Sequence, residues 1–143
     1  MAEQIAPEYR LRRLINAINF STLAGLLLAK SEGARLGKGP DGLVLARGAR
    51  GTFPKASAVT IGNVVILRTD RVTDELVRHE GRHATQWACC VIIFLPLYLV
   101  AVLWSYVRTG DHYSRNVFER RAGFADGGYT ERPTRGARRR GSA

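Results

Sequence analysis

The stretch His79-Glu80-Gly81-Arg82-His83 decides how this chain is read. Two histidines four positions apart lie one turn apart on the same face of a helix, so both imidazoles reach a single metal ion. The glutamate next to the first histidine is then placed to take a proton from a water activated by that metal. Two features weaken the motif. Gly81 costs roughly 1 kcal/mol of helix propensity relative to alanine. Arg82 places a charge in the middle of the motif. A surface helix with two incidental histidines is the competing reading. Against it, two of the chain's three histidines fall at this spacing around a glutamate.

Upstream of the motif, Ala58 to Arg68 is β-branched and interrupted by Gly62-Asn63, which predicts two short strands joined by a hairpin or a bulge. A helix starting at Thr73 or Asp74 then carries Leu76, His79, Glu80, His83 and Trp87. Leu43–Arg47 reads as another short strand. Ser31–Gly42 reads as loop, and Gly48, Gly51 and Pro54 mark a turn region. Residues 1–9 are expected to be flexible. From Arg10 to Lys30, Leu11, Leu14, Ile15, Ile18, Thr22, Leu26 and Ala29 follow the spacing of one helix. Arg10, Arg12 and Arg13 ahead of this apolar stretch are reminiscent of a signal sequence. Asn16, Asn19, Ser21 and Thr22 interrupt it, however, and there is no clear small-x-small cleavage motif. An amphipathic helix, packed on the protein or lying on a membrane, is the better expectation.

Downstream, Ala88–Val107 is twenty residues without a formal charge. That is long enough to span a membrane, and Trp87, Trp104 and Tyr106 stand near its ends like an interfacial belt. A further helix is expected over about Ser114–Ala125.

A third metal ligand would decide the class of site. Six residues past His83 stands Cys89, with Gln86 where a glycine bend is needed, so a metzincin pattern fails. A glutamate from a later helix is the alternative, and Glu119 is the natural candidate. Asn116 with Glu119 also reads as a capping box, which is its competing role. His112 and Asp111 are weaker ligand candidates. Asp126, two turns past Glu119, is placed to hydrogen-bond a ligand histidine. Tyr113 or His112 would add a donor to a developing oxyanion.

A straight helix over Ala88–Val107 would be about 30 Å long and would carry Glu119 far from the histidines. A shared metal therefore commits the apolar run to fold back. Pro96 marks the expected break, near Phe94–Leu97.

Lys and Arg number 22 against 12 Asp and Glu, a formal charge of +10. Arg132, Arg135, Arg138, Arg139 and Arg140 supply five of these charges within 127–143, read as a basic disordered tail. The balance favours an anionic membrane surface as partner. Nucleic acid is disfavoured, because no recognition motif accompanies the charge. Cys89 and Cys90 are adjacent and build no disulfide framework.

Four segments together resemble the small bacterial HExxHxxQ metallopeptidase domains of the gluzincin type. They are Ala58-Val-Thr-Ile-Gly-Asn-Val-Val-Ile66, His79-Glu-Gly-Arg-His-Ala-Thr-Gln86, Phe94-Leu-Pro-Leu-Tyr98 and Asn116-Val-Phe-Glu-Arg-Arg-Ala122. The resemblance covers roughly residues 57–126 and implies a minimal zincin core; with the strand at Leu43–Arg47 the expected domain is an α+β fold over 43–126. That core has a short sheet, the motif helix, an apolar helical hairpin broken at Pro96 and a later helix bearing Glu119. It implies Zn2+ held by His79, His83 and Glu119, Glu80 as catalytic base, and supporting roles for Gln86 and Asn116. The expected function is peptide-bond hydrolysis by a membrane-associated or cytoplasmic enzyme, with membrane contact through 88–107 and 10–30. The alternative is a non-catalytic membrane or interaction protein with a zincin-like site.

Overall fold

The computed structural model describes residues 5–51, 56–69 and 71–136. Among them are four strands, β1 (Arg35–Lys38), β2 (Val44–Arg47), β3 (Ala58–Ile61) and β4 (Val64–Leu67). The helices are α1 (Pro7–Ile18), α2 (Ser21–Ser31), α3 (Asp74–Cys90), α4 (Phe94–Thr109) and α5 (Val117–Gly123). The fold is α+β, as expected. One sheet runs in the order β1-β2-β4-β3, with β2 and β4 parallel and both outer pairs antiparallel.

All four residues of β4 are buried because the sheet is covered on both faces. Val65 and Leu67 join Leu43 and Leu45 against Val77 and Ala84 of α3. Val64 and Ile66 join Ala46 against Ala29 of α2. The layers are therefore helix, sheet, helix, and α3 carries the metal-motif residues along the sheet. At the turn of the β3–β4 hairpin, Gly62 has φ 59 while Asn63 does not enter the left-handed region, the pattern of a type II′ turn. A side chain at Gly62 would also collide with the backbone of Ser21 and Thr22.

β1 is a strand where the sequence suggested loop. It is an edge strand with mostly exposed residues, Arg35 and Lys38 among them, so it carries no alternating apolar signal.

The expected helix over 10–30 is two helices bent by 76°. The break is at Asn19-Phe20, where Phe20 takes a positive φ of 62°. Asn19 Oδ1 accepts from Ser21 N at 2.9 Å and from Ser21 Oγ at 2.6 Å, which stabilises the corner and the start of α2. The polar residues that interrupted the apolar pattern are thus the corner and its anchors. Asn16 Nδ2 donates to Ala84 O at 2.9 Å. Buried Arg12 donates to Asn63 Oδ1 at 3.1 Å and to Asp41 O at 2.7 Å. Both helices therefore belong to the domain rather than preceding it. Glu32, just past α2, pairs with Arg68 just past β4, with Arg68 Nε 2.9 Å from Oε2.

α2 lies so close to the hairpin that a Cβ on Gly25 would sit 2.5 Å from Ile61 O. Gly25→Ala is expected to destabilise the fold by about 1–3 kcal/mol despite its better helix propensity. Denaturant unfolding of the variant checks this; an increase in stability would contradict the packing.

The apolar run folds back, but its pivot lies ahead of Pro96. A 3₁₀ turn over Val91–Ile93 separates α3 from α4, and Val91 has φ 53. Pro96 is the third residue of α4, in the first turn, where its missing N–H sacrifices no intrahelical bond. The reversal is shown by ring contacts. Phe94 lies 4.9 Å from Trp87, and Tyr98 lies 6.3 Å from His83. In a straight helix the last pair would be about 22 Å apart along the axis.

Both chain-end expectations need correction. α1 already begins at Pro7, so the segment 1–9 is not flexible throughout; residues 1–4 lie outside the described residues. The start of the 127–143 tail is packed. Tyr129 stacks on Tyr113 at 4.6 Å, Glu131 pairs with Arg115 and Arg120, and Arg132 N donates to Ser114 Oγ at 2.9 Å. Arg138, Arg139, Arg140 and the Pro54 turn lie outside the described residues.

Candidate metal centre

Thr73 starts α3, its Oγ1 accepting from Leu76 N at 3.2 Å, and Asp74 and Glu75 in the first turn complement the helix dipole. One turn on, His79, Glu80 and His83 are buried beneath α5 and α4. Asn116 caps α5 by accepting from Phe118 N at 3.0 Å. Its partner in a capping box would have been Glu119, but the Glu119 carboxylate points to the histidines instead. Glu119 Oε2 lies 3.1 Å from His79 Nε2 and 3.4 Å from His83 Nε2, and the two Nε2 atoms are 3.1 Å apart. The sequence expectation that these three residues converge is met in geometry, and they are the one such cluster among the described residues.

The proton assignment follows from the partners. His79 Nδ1 lies 2.9 Å from Gly123 O, and a carbonyl only accepts, so Nδ1 carries the proton. Gln86 Nε2 donates to Phe118 O at 2.9 Å, which turns Gln86 Oε1 toward His83 Nδ1 at 2.8 Å. His83 is therefore also protonated at Nδ1. In the neutral rings, both Nε2 lone pairs and the Glu119 oxygen face one another with no hydrogen between them. Glu119 Oε2 is buried with no hydrogen-bond donor, while Oε1 accepts from Tyr98 Oη.

Three mutually facing acceptors repel unless a cation sits among them. Ligands bound to zinc at about 2.0–2.1 Å in a tetrahedron lie about 3.3 Å from one another, which the three separations match. The donor set, two imidazoles and a carboxylate, also suits zinc.

Without metal, charge is shared with a proton. Burial works against a charged Glu119, but the His79 and His83 rings and the Tyr98 hydroxyl outweigh it and hold its carboxyl well below the usual range. Burial likewise opposes a charge on His83, but Glu119 outweighs it and shifts the imidazole upward. The raised His83 contributes stability present below its unfolded value of about 6.5 and lost as pH rises through the folded value. The depressed Glu119 contributes stability present above about 4.5 and lost as pH falls toward its folded value. The metal-free protein is therefore expected to be most stable between these limits. A metal ion bound here would have to displace the His83 proton, so zinc uptake is expected to release protons. Calorimetry in buffers of different ionisation heat checks this; no buffer dependence near pH 6.5 would contradict it.

Glu80 is 6% exposed. Burial pushes its carboxyl up, against the opposing pull of His83, His79 and a bond from Thr60. Thr60 Oγ1, on β3, donates to Glu80 Oε2 at 2.6 Å. β3 is also the sheet edge beside the motif. β4, which ends at Leu67, is paired on both sides.

Other expected residues are placed as follows. Gln86 holds His83, as described. Asn116 acts through the cap and not on a ligand ring. Asp126 does not touch a histidine: its Oδ2 lies 2.8 Å from Arg82 Nη1, and Arg78 Nε is 3.6 Å away. The carbonyl of Gly123 takes the place expected for it. Arg82 also donates to Ala122 O at 2.8 Å, so the unusual charge in the motif clamps the end of the helix that supplies Glu119. His112 is exposed and stacked on Tyr106 at 4.9 Å, away from the ligands. Tyr113 is partly buried behind Tyr129; neither reaches a ligand atom. Asp111 instead accepts from Ser114 N and Oγ.

Thr60, Tyr98 and Tyr129 were not foreseen. Tyr129 packs 5.9 Å from His79. Thr60 and Tyr98 both lie in segments that carried the family resemblance, which was the only sequence signal for them.

Comparison with family models, with curated proteins and with solved structures gave no match.

Proposed function

We propose that this chain is a zinc-dependent hydrolase of the gluzincin type that cleaves peptide bonds. The observation that carries the reading is the buried triangle of His79 Nε2, His83 Nε2 and Glu119 Oε2, three potential donor atoms to a metal at zinc-ligand spacing, with both Nδ1 atoms engaged elsewhere. Two imidazoles and one carboxylate would leave a coordination position open, where zinc supplies a Lewis acid and lowers the pKa of water to about 7.

The chain's own residues do the rest. Thr60 fixes the orientation of the Glu80 carboxylate, whose raised pKa suits a group that accepts a proton and returns it. Glu80 takes the proton of the attacking water and passes it to the leaving amine. Gln86 and the Gly123 carbonyl hold the two rings in the tautomer that binds metal. An extended peptide would pair with the edge of β3, next to Glu80.

Metal analysis of purified protein, with a peptide-cleavage assay on the metal-loaded form, tests this. A chain that takes up no zinc sinks it. A second reading, a non-catalytic membrane or interaction protein with a zincin-like site, draws on a contact at the β3 edge. Trp87 Nε1 donates to Thr60 O at 2.8 Å and so occupies the β3 edge. Zinc uptake with no hydrolysis of any peptide would favour that reading.

A further inference from the structure

We infer that α4 is a foot that seats the protein in one leaflet of an anionic membrane. The inward stripe of α4 is narrow: Phe94, Ala101, Ser105 and Thr109 are buried, and Tyr98 beside them reaches Glu119. The opposite face carries Leu95, Leu97, Leu99, Val100, Leu103, Trp104 and Val107, all exposed. At 3.6 residues per turn these cover about 200° of the circumference. A helix that docks on a protein partner offers an apolar seam with polar flanks. Here Val91 to Val107 carries no charge at all. Lipid is the surroundings that accepts such a face on all its sides.

The end of α4 has the composition of a membrane surface. Arg108 lies over the Trp104 ring at 5.4 Å, and Arg135 over Tyr106 at 5.8 Å. Aromatic rings topped by arginines suit the level of anionic headgroups, and the net charge of +10 reinforces the attraction.

Both ends of α4 are tied to the same body, so it lies in a leaflet and does not cross. Phe94 packs on Trp87 and on Phe118 of α5. At the other end Ser105 Oγ donates to Asp111 O at 2.7 Å and accepts from Arg115 N at 2.7 Å.

A second apolar point stands at the near end. α1 runs beside α3 in the same direction, with Arg12 at Gly81 and Asn16 at Ala84. This brings the corner residue Phe20, 70% exposed, toward the end of α3 where Ile92 is 79% exposed. This inference does not depend on the zinc site.

Sedimentation of the full chain with vesicles of phosphatidylcholine, with and without phosphatidylglycerol, tests it. The protein should pellet with the anionic vesicles, less so at high salt. The double variant Leu99→Gln with Leu103→Gln should lose at least about tenfold in partitioning while keeping its circular dichroism and zinc uptake. If that variant does not fold, the wild-type chain still decides. Brominated lipid should quench its fluorescence, and Trp104→Phe, which retains Trp87, should lose most of the quenching. Three results would overturn the proposal: no vesicle binding, a concentration-dependent dimer that the double variant dissociates, or labelling of Gly110→Cys from the far side of the bilayer.

Discussion

Glu80→Gln is expected to lower the proposed peptide hydrolysis by about two to four orders of magnitude while zinc content stays near that of the wild type. The amide preserves the size of the side chain and still offers an oxygen to Thr60, so packing between α3 and β3 is retained. It removes the one buried carboxylate next to the histidines that is not aimed at the metal triangle. The variant thus separates proton transfer from metal binding. Turnover measured on metal-loaded protein, with zinc measured on the same sample, is the check. Full activity would rule out Glu80 as the base, and loss of zinc would show that its effect is structural.

Zinc is expected to raise the unfolding free energy by about 4 kcal/mol at a free concentration a thousand times its dissociation constant. The ligands come from two helices, α3 and α5, separated in sequence by the whole of α4. Metal uptake would therefore tie the two ends of the apolar hairpin together, taking the place of the proton that Glu119 favours on His83. Glu119→Gln keeps the volume and the hydroxyl contact to Tyr98 but removes the charge. It should weaken zinc binding at least about tenfold, reducing the stabilisation by about 1.4 kcal/mol for each factor of ten at fixed zinc. Thermal unfolding across a zinc titration reads both numbers. An equal zinc-induced shift in wild type and variant would exclude Glu119 as a ligand.

Much of the candidate site was legible because its residues follow local rules. The i, i+4 spacing of His79 and His83 is a property of any helix, and Thr73 with Asp74 and Glu75 announces where that helix starts. The hairpin at Gly62-Asn63 is equally local, since a II′ turn asks for glycine at its first position. Glu119 was reachable by elimination once a third ligand was required. Other features had no local signal. β1 is polar and exposed, so alternation does not reveal it. Asp126 was given the wrong partner because two residues on a helical repeat share a face only while the helix lasts, and α5 ends at Gly123. The pivot of the apolar hairpin was placed at Pro96, the obvious helix breaker, when proline is tolerated in a first turn and the break falls at Val91.

The sequence by itself determined that His79 and His83 share one helix face and, with Glu119 taken as their partner, the need for the chain to return. These depend on backbone periodicity and on the valence of the side chains, which hold wherever the segment sits. Only the tertiary structure decided that Glu119 Oε2 lacks a donor, that Arg82 clamps α5, that Thr60 orients Glu80, and that β3 is the edge beside the site. Each of those joins residues 20 to 45 positions apart, and such contacts are set by how α3 packs against the sheet and α5, which no local pattern encodes.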